Sequence, residues 1–111
     1  MVVSLKNVID SVKTWTCSIL RAGCAGEIEI DNEDCFRASF YCSDDCWAQV
    51  IVHEDDMPTP YRYVFFEAVG SKGNKVDTVY IWCDSEEDGI SEICRQLNKG
   101  ITIALNYKNT I

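Results

Sequence analysis

The 111-residue sequence predicts one two-layer α+β domain spanning 1–111: an N-terminal helix, an antiparallel five-strand meander and a C-terminal helix. Three observations predict it. An apolar stripe with helical spacing runs through the first 20 residues. Between residues 26 and 83 the pattern changes to alternation, broken by short polar turns. After Ser85 the helical spacing returns.

In the first element, Ser4 is a natural cap, and Leu5, Val8, Ile9, Val12, Trp15, Ile19 and Leu20 form one stripe about five turns long, with Gly23 as the stop. Gly26–Asp31 alternates polar and apolar residues, as suits an edge strand with one wet face. Cys35–Cys42 places Phe36, Ala38, Phe40 and Cys42 on one side. Cys46–His53 places Trp47 and Ile51 opposite Val50 and Val52. A break with two prolines, Glu54–Pro60, precedes an aromatic strand, Tyr61–Val69, and the turn formers Gly70–Asn74 precede the last strand, Val76–Cys83. Ser85 then caps a helix carrying Ile90, Ile93, Cys94 and Leu97, with Lys99–Gly100 as its expected end. The segment from Ile101 onward is compatible with a strand or with a helical extension.

Charge narrows the function. The chain carries 18 acids against 10 bases, a formal net charge of −8, which repels nucleic acid and favours a partner with a positive surface. In a meander, alternate connections fall at one end of the sheet. Asp31, Glu33 and Asp34, then Glu54, Asp55 and Asp56, then Asp84, Glu86, Glu87 and Asp88 should therefore converge on one negative rim. The opposite end holds Asp44 and Asp45, offset by Lys72 and Lys75. From this placement, Glu54, Asp55, Asp56, Asp84, Glu86 and Glu87 are the expected partner contacts, with Trp47 and Trp82 as apolar anchors.

Signals for other chemistry are sparse. Seven cysteines and a single histidine, His53, do not provide the paired spacings of a zinc site, so no metal or other cofactor is expected. Cys46 and His53 are seven positions apart and face opposite ways on a strand, which disfavours a thiol nucleophile and its base. There is no phosphate-binding glycine loop, nucleophile elbow or zinc-protease motif, and the expectation is a binding protein without catalytic residues. No apolar run reaches the roughly 18 residues of a membrane span, and the N-terminus lacks a basic segment followed by an apolar one; a cytoplasmic location with reduced thiols is expected.

The stretch Phe36-Arg37-Ala38-Ser39-Phe40-Tyr41-Cys42-Ser43-Asp44-Asp45-Cys46-Trp47-Ala48-Gln49-Val50-Ile51-Val52, with Trp82-Cys83-Asp84-Ser85-Glu86-Glu87 at the start of the last helical region, resembles the small immunity proteins of bacterial polymorphic-toxin and contact-dependent growth inhibition systems, in particular the TriTu-type proteins. The resemblance covers most of residues 5–99. It implies a protein that binds a cognate toxin domain, in many cases a basic nuclease, and blocks it by contact; it carries no catalytic residues to transfer. Three other classes compete: a phage inhibitor that mimics nucleic acid, of the anti-restriction or anti-CRISPR kind, an effector chaperone, and an enzyme using Cys46 or His53.

Overall fold

A computed structural model describes residues 4–54, 63–72 and 74–107, apart from the Lys72 side chain. Its element order is α1 (Leu5–Arg21), β1 (Ala25–Asp31), β2 (Cys35–Ser43), β3 (Cys46–His53), β4 (Val64–Lys72), β5 (Lys75–Cys83) and α2 (Ile90–Leu105). The five strands form one antiparallel sheet in the order β1-β2-β3-β4-β5, the expected meander. Both helices cover the same face.

Helix α1 forms where the stripe places it. The Ser4 hydroxyl accepts a hydrogen bond from the Asn7 N–H at 3.2 Å, satisfying one orphan donor of the first turn. Val8, Ile9, Val12, Trp15 and Thr16 are buried. Gly23 takes φ +112°, the left-handed conformation that turns the chain from α1 into β1.

Helix α2 departs from the sequence expectation at both ends. Ser85 is not its cap. The Asp88 carboxylate accepts hydrogen bonds from the Ser85 N–H (2.8 Å) and hydroxyl (3.2 Å), closing a separate turn, and Gly89 is the N-cap. Nor does the helix stop at Lys99–Gly100; it runs on to Leu105, so the ambiguous segment through that residue is helical. Gly100 is buried because α2 crosses the sheet closely there. A Cβ at this position would lie 2.5 Å from Phe66 Cε1 and 2.8 Å from Tyr80 Cδ2. The glycine that reads as a stop signal is instead the point of closest helix–sheet approach.

The core lies between the helices and one sheet face. Phe36, Ala38 and Phe40 of β2, Ala48, Val50 and Val52 of β3, and Val64, Phe66 and Ala68 of β4 are all fully buried, against Val12 of α1 and Leu97 of α2. Trp15 meets Phe40 edge to face, with ring centroids 5.5 Å apart, and its indole N–H donates to Asn98 Oδ1 at 2.7 Å, tying α1 to α2. The hydroxyl of Thr16 is buried with no hydrogen-bond partner among the described residues.

Strand boundaries differ modestly from expectation. Cross-strand pairing at Lys72 and Lys75 closes a tight hairpin, which keeps Gly70 and Ser71 inside β4 rather than in a loop. The start expected for β4, Tyr61, lies outside the described residues, as do Asp55 and Asp56. In β1 a register shift between Ile28 and Ile30 breaks the alternation and brings Ile30, 36% exposed, opposite Arg37.

Candidate protein-docking surface

Among the described residues, the meander brings the acids of the 32–34 turn, Glu54 and the 84–88 segment to one end of the sheet. Asp31 pairs with Phe36, Cys35 with His53, the His53 N–H bonds to the Tyr63 carbonyl, and the Asp84 N–H bonds to the Val64 carbonyl. The 32–34 turn, Glu54 and the 84–88 segment therefore follow one another along one edge of the layer. With about 4.8 Å between neighbouring strands, this row is about 19 Å long.

Its members have different roles. Asp31 is neutralised by Lys13 of α1 at 2.6 Å, across a groove also lined by Lys6, Ile9 and Asp10. Hydrogen bonding to Asp31 raises the Lys13 pKa, with charge attraction second. Asp84, an expected contact, is buried at 1% exposure. Its Oδ1 accepts the backbone N–H groups of Tyr63 and Val64, both at 2.8 Å, and so fixes the start of β4 against the end of β5. It cannot meet a partner; the residue following the strand turns inward because two backbone donors need an acceptor there. Glu33, Asp34, Glu54, Glu86 and Glu87 are exposed.

The two expected anchors separate. Trp82 pairs with Phe66 on the helix side and packs against the core, whereas Trp47 pairs with Tyr41 and Val69 on the opposite face. One partner surface cannot use both in the same way.

That opposite face carries residues the sequence reading passed over. Strand register aligns Glu27, Ser39, Gln49, Glu67 and Ile81 in one row across all five strands. Gln49 Nε2 donates to Glu67 Oε1 at 2.6 Å, and Arg37 Nη2 donates to Gln49 Oε1 at 3.2 Å. Glu29 accepts from the Ser39 hydroxyl and lies 3.6 Å from Arg37 Nε. Tyr41 donates its hydroxyl to Glu27 at 3.0 Å, and that bond raises the phenol's pKa. Ile81, at the end of this row, is 50% exposed; beside the row Tyr41 is 47% exposed and Val76 74%, and a shallow groove runs between Tyr41, Trp47, Val69 and Val76. A signal existed in the sequence: Glu67 is a lone acid in an aromatic and aliphatic run, and Glu27 and Glu29 alternate with apolar residues.

Thiol chemistry is held back. All seven cysteines are free. Cys24, Cys42 and Cys46 interact side by side at the sheet end away from the acidic row. Burial, then the neighbouring thiols, push Cys42 up to about 12; burial also raises Cys24 and Cys46. Register places Cys35 opposite His53, but burial raises the Cys35 thiol, the reverse of what a thiolate nucleophile needs. Among the described residues, no group of three or more His, Cys, Asp or Glu side chains is placed to hold a metal ion. None of the described helices is long and apolar enough to cross a membrane.

Comparison with protein-family models, with curated proteins and with solved structures found no match to this chain.

Proposed function

We propose that the chain is an immunity-type protein: it binds a basic toxin domain in the cytoplasm and neutralises it by contact, without chemistry of its own. The observation that carries this reading is the row of exposed carboxylates along one end of the sheet, Glu33, Asp34, Glu54, Glu86 and Glu87. Such a row repels itself and costs stability. A basic partner relieves the repulsion and is drawn in faster by it, which gives the arrangement a use. The resemblance of the 36–52 and 82–87 segments to small immunity proteins supports the same reading. Phosphate mimicry fits less well, because an even run of anions is interrupted where Asp31 pairs with Lys13 and where Asp84 turns inward.

The test is co-expression with the protein encoded by the adjacent gene, read as growth. Rescue of a toxic neighbour by the wild-type chain, weakened in a Glu54→Lys, Glu86→Lys, Glu87→Lys variant that still folds, supports the proposal. A neighbour that is toxic and basic but is neither bound nor neutralised contradicts it.

A further inference from the structure

The sheet face turned away from the helices combines apolar area with an unbalanced charge. Glu27, Glu29 and Glu67 project there with Arg37 as the one cation of their hydrogen-bonded row, and among the described residues no cation lies within ion-pair distance of Glu27 or Glu67. Trp47, Tyr41, Val69 and Ile81 flank the carboxylates on β2 to β5. We propose that this face docks an arginine-bearing segment of the basic partner, its guanidinium meeting Glu67 beside the Trp47 ring and its apolar flank covering Tyr41, Val69 and Ile81. The inference rests on the reading of the chain as a binder of a basic protein, and it names the chemistry of the segment that is bound.

Charge selects this occupant over the others. A second copy of the chain would bring a second set of these carboxylates onto the first, with a net charge of −8 on each molecule. A nucleic acid would meet the same repulsion. An arginine suits the site better than a lysine. Its planar fork pairs with a carboxylate through two parallel bonds, it stacks on an indole, and it gives up hydration more readily than an ammonium. Glu67 is prepared for this role, since Gln49 holds one of its oxygens at 2.6 Å and fixes the carboxylate's direction.

The test is an NMR titration of the full chain with a short capped peptide alternating arginine and leucine, with lysine–leucine and glutamate–leucine peptides as controls. The expected result is shifts concentrated on the Trp47 indole, the Gln49 side-chain amide, Glu67 and Ile81, strongest for the arginine peptide and absent for the glutamate one. Glu67→Gln, which retains an acceptor for Gln49, should weaken binding about tenfold, as loss of a charge-assisted hydrogen bond does. Trp47→Ala should weaken it as well, with an otherwise unchanged spectrum. Shifts confined to Glu54, Glu86 and Glu87 would overturn the face assignment while leaving the basic-partner reading intact. No shifts anywhere would count against both. Self-association through this face in the absence of peptide would assign it to a second copy and overturn the proposal.

Discussion

Phe40 and Tyr41 are neighbours in β2, and their side chains go to opposite faces of one sheet. Phe40 is fully buried against Trp15; Tyr41 is 47% exposed and bonded to Glu27. The two faces repeat this contrast throughout. At the centre of β2, β3 and β4 the covered one is Phe, Val and Ala without a charge, closed by two helices. The other carries Glu, Gln, Arg and aromatic side chains in a cross-strand row, held by bonds between side chains. Stability is concentrated on the first, which leaves the second able to carry polar and charged groups at little cost to the fold.

The contrast is open to direct attack. The largest expected effect is Phe40→Ala, which should lower unfolding free energy by about 3–5 kcal/mol by emptying a filled core site. Tyr41→Ala, one residue on, should cost about 1 kcal/mol or less. Denaturant titration of both variants decides it, and equal losses would erase the distinction between the faces.

Asp84→Ala should come next, at about 2–4 kcal/mol, because two backbone N–H groups, that of Tyr63 half-buried and that of Val64 buried, lose their acceptor. Asp84→Asn, which keeps an oxygen, should recover much of that loss. A harmless Asp84→Ala would return the residue to the exposed row. Thr16→Val tests the covered face in the other direction. Its buried hydroxyl lacks a partner among the described residues, so the variant should gain about 1 kcal/mol in the same titration.

The smallest expected effect is at Glu92, half-exposed on α2. Hydrogen bonds from Arg95 and then Gln96 hold its carboxyl down to about 2, against an ordinary value of 4.5. A depressed carboxyl stabilises the fold fully above the ordinary value and loses that contribution as pH falls toward 2. Glu92→Gln should therefore flatten the pH dependence of stability in that window and leave it unchanged above. A wild-type curve identical to that of the variant across the window would rule the coupling out.

The element pattern was legible because periodicity is written by burial. The α1 stripe and the alternation of β2 and β3 each follow from one covered face, and the meander follows from their short connections. What escaped was set by tertiary contact. Gly100 reads as a helix stop, yet it lies mid-helix because Phe66 and Tyr80 leave no room for a side chain. Ser85 reads as a cap, but Asp88 captures its N–H and hydroxyl first. Asp84 reads as one acid among several in a loop, and only the backbone donors of Tyr63 and Val64 show why it points inward. Of the expected contact residues, Glu54, Glu86, Glu87 and Trp47 are placed where a partner can reach them, Asp55 and Asp56 lie outside the described residues, and Asp84 and Trp82 belong to the interior side. The acids of the open face are harder to read because each stands singly between uncharged residues, and only cross-strand register brings Glu27, Glu29 and Glu67 onto one face.

Association kinetics with the proposed basic partner at low and high ionic strength test the central claim most directly. Steering by exposed carboxylates requires an association rate that falls steeply as salt is added, and a much shallower dependence in the Glu54→Lys, Glu86→Lys, Glu87→Lys variant. An association rate indifferent to salt, and equal in the two proteins, would contradict the assignment of the acidic end to a basic partner.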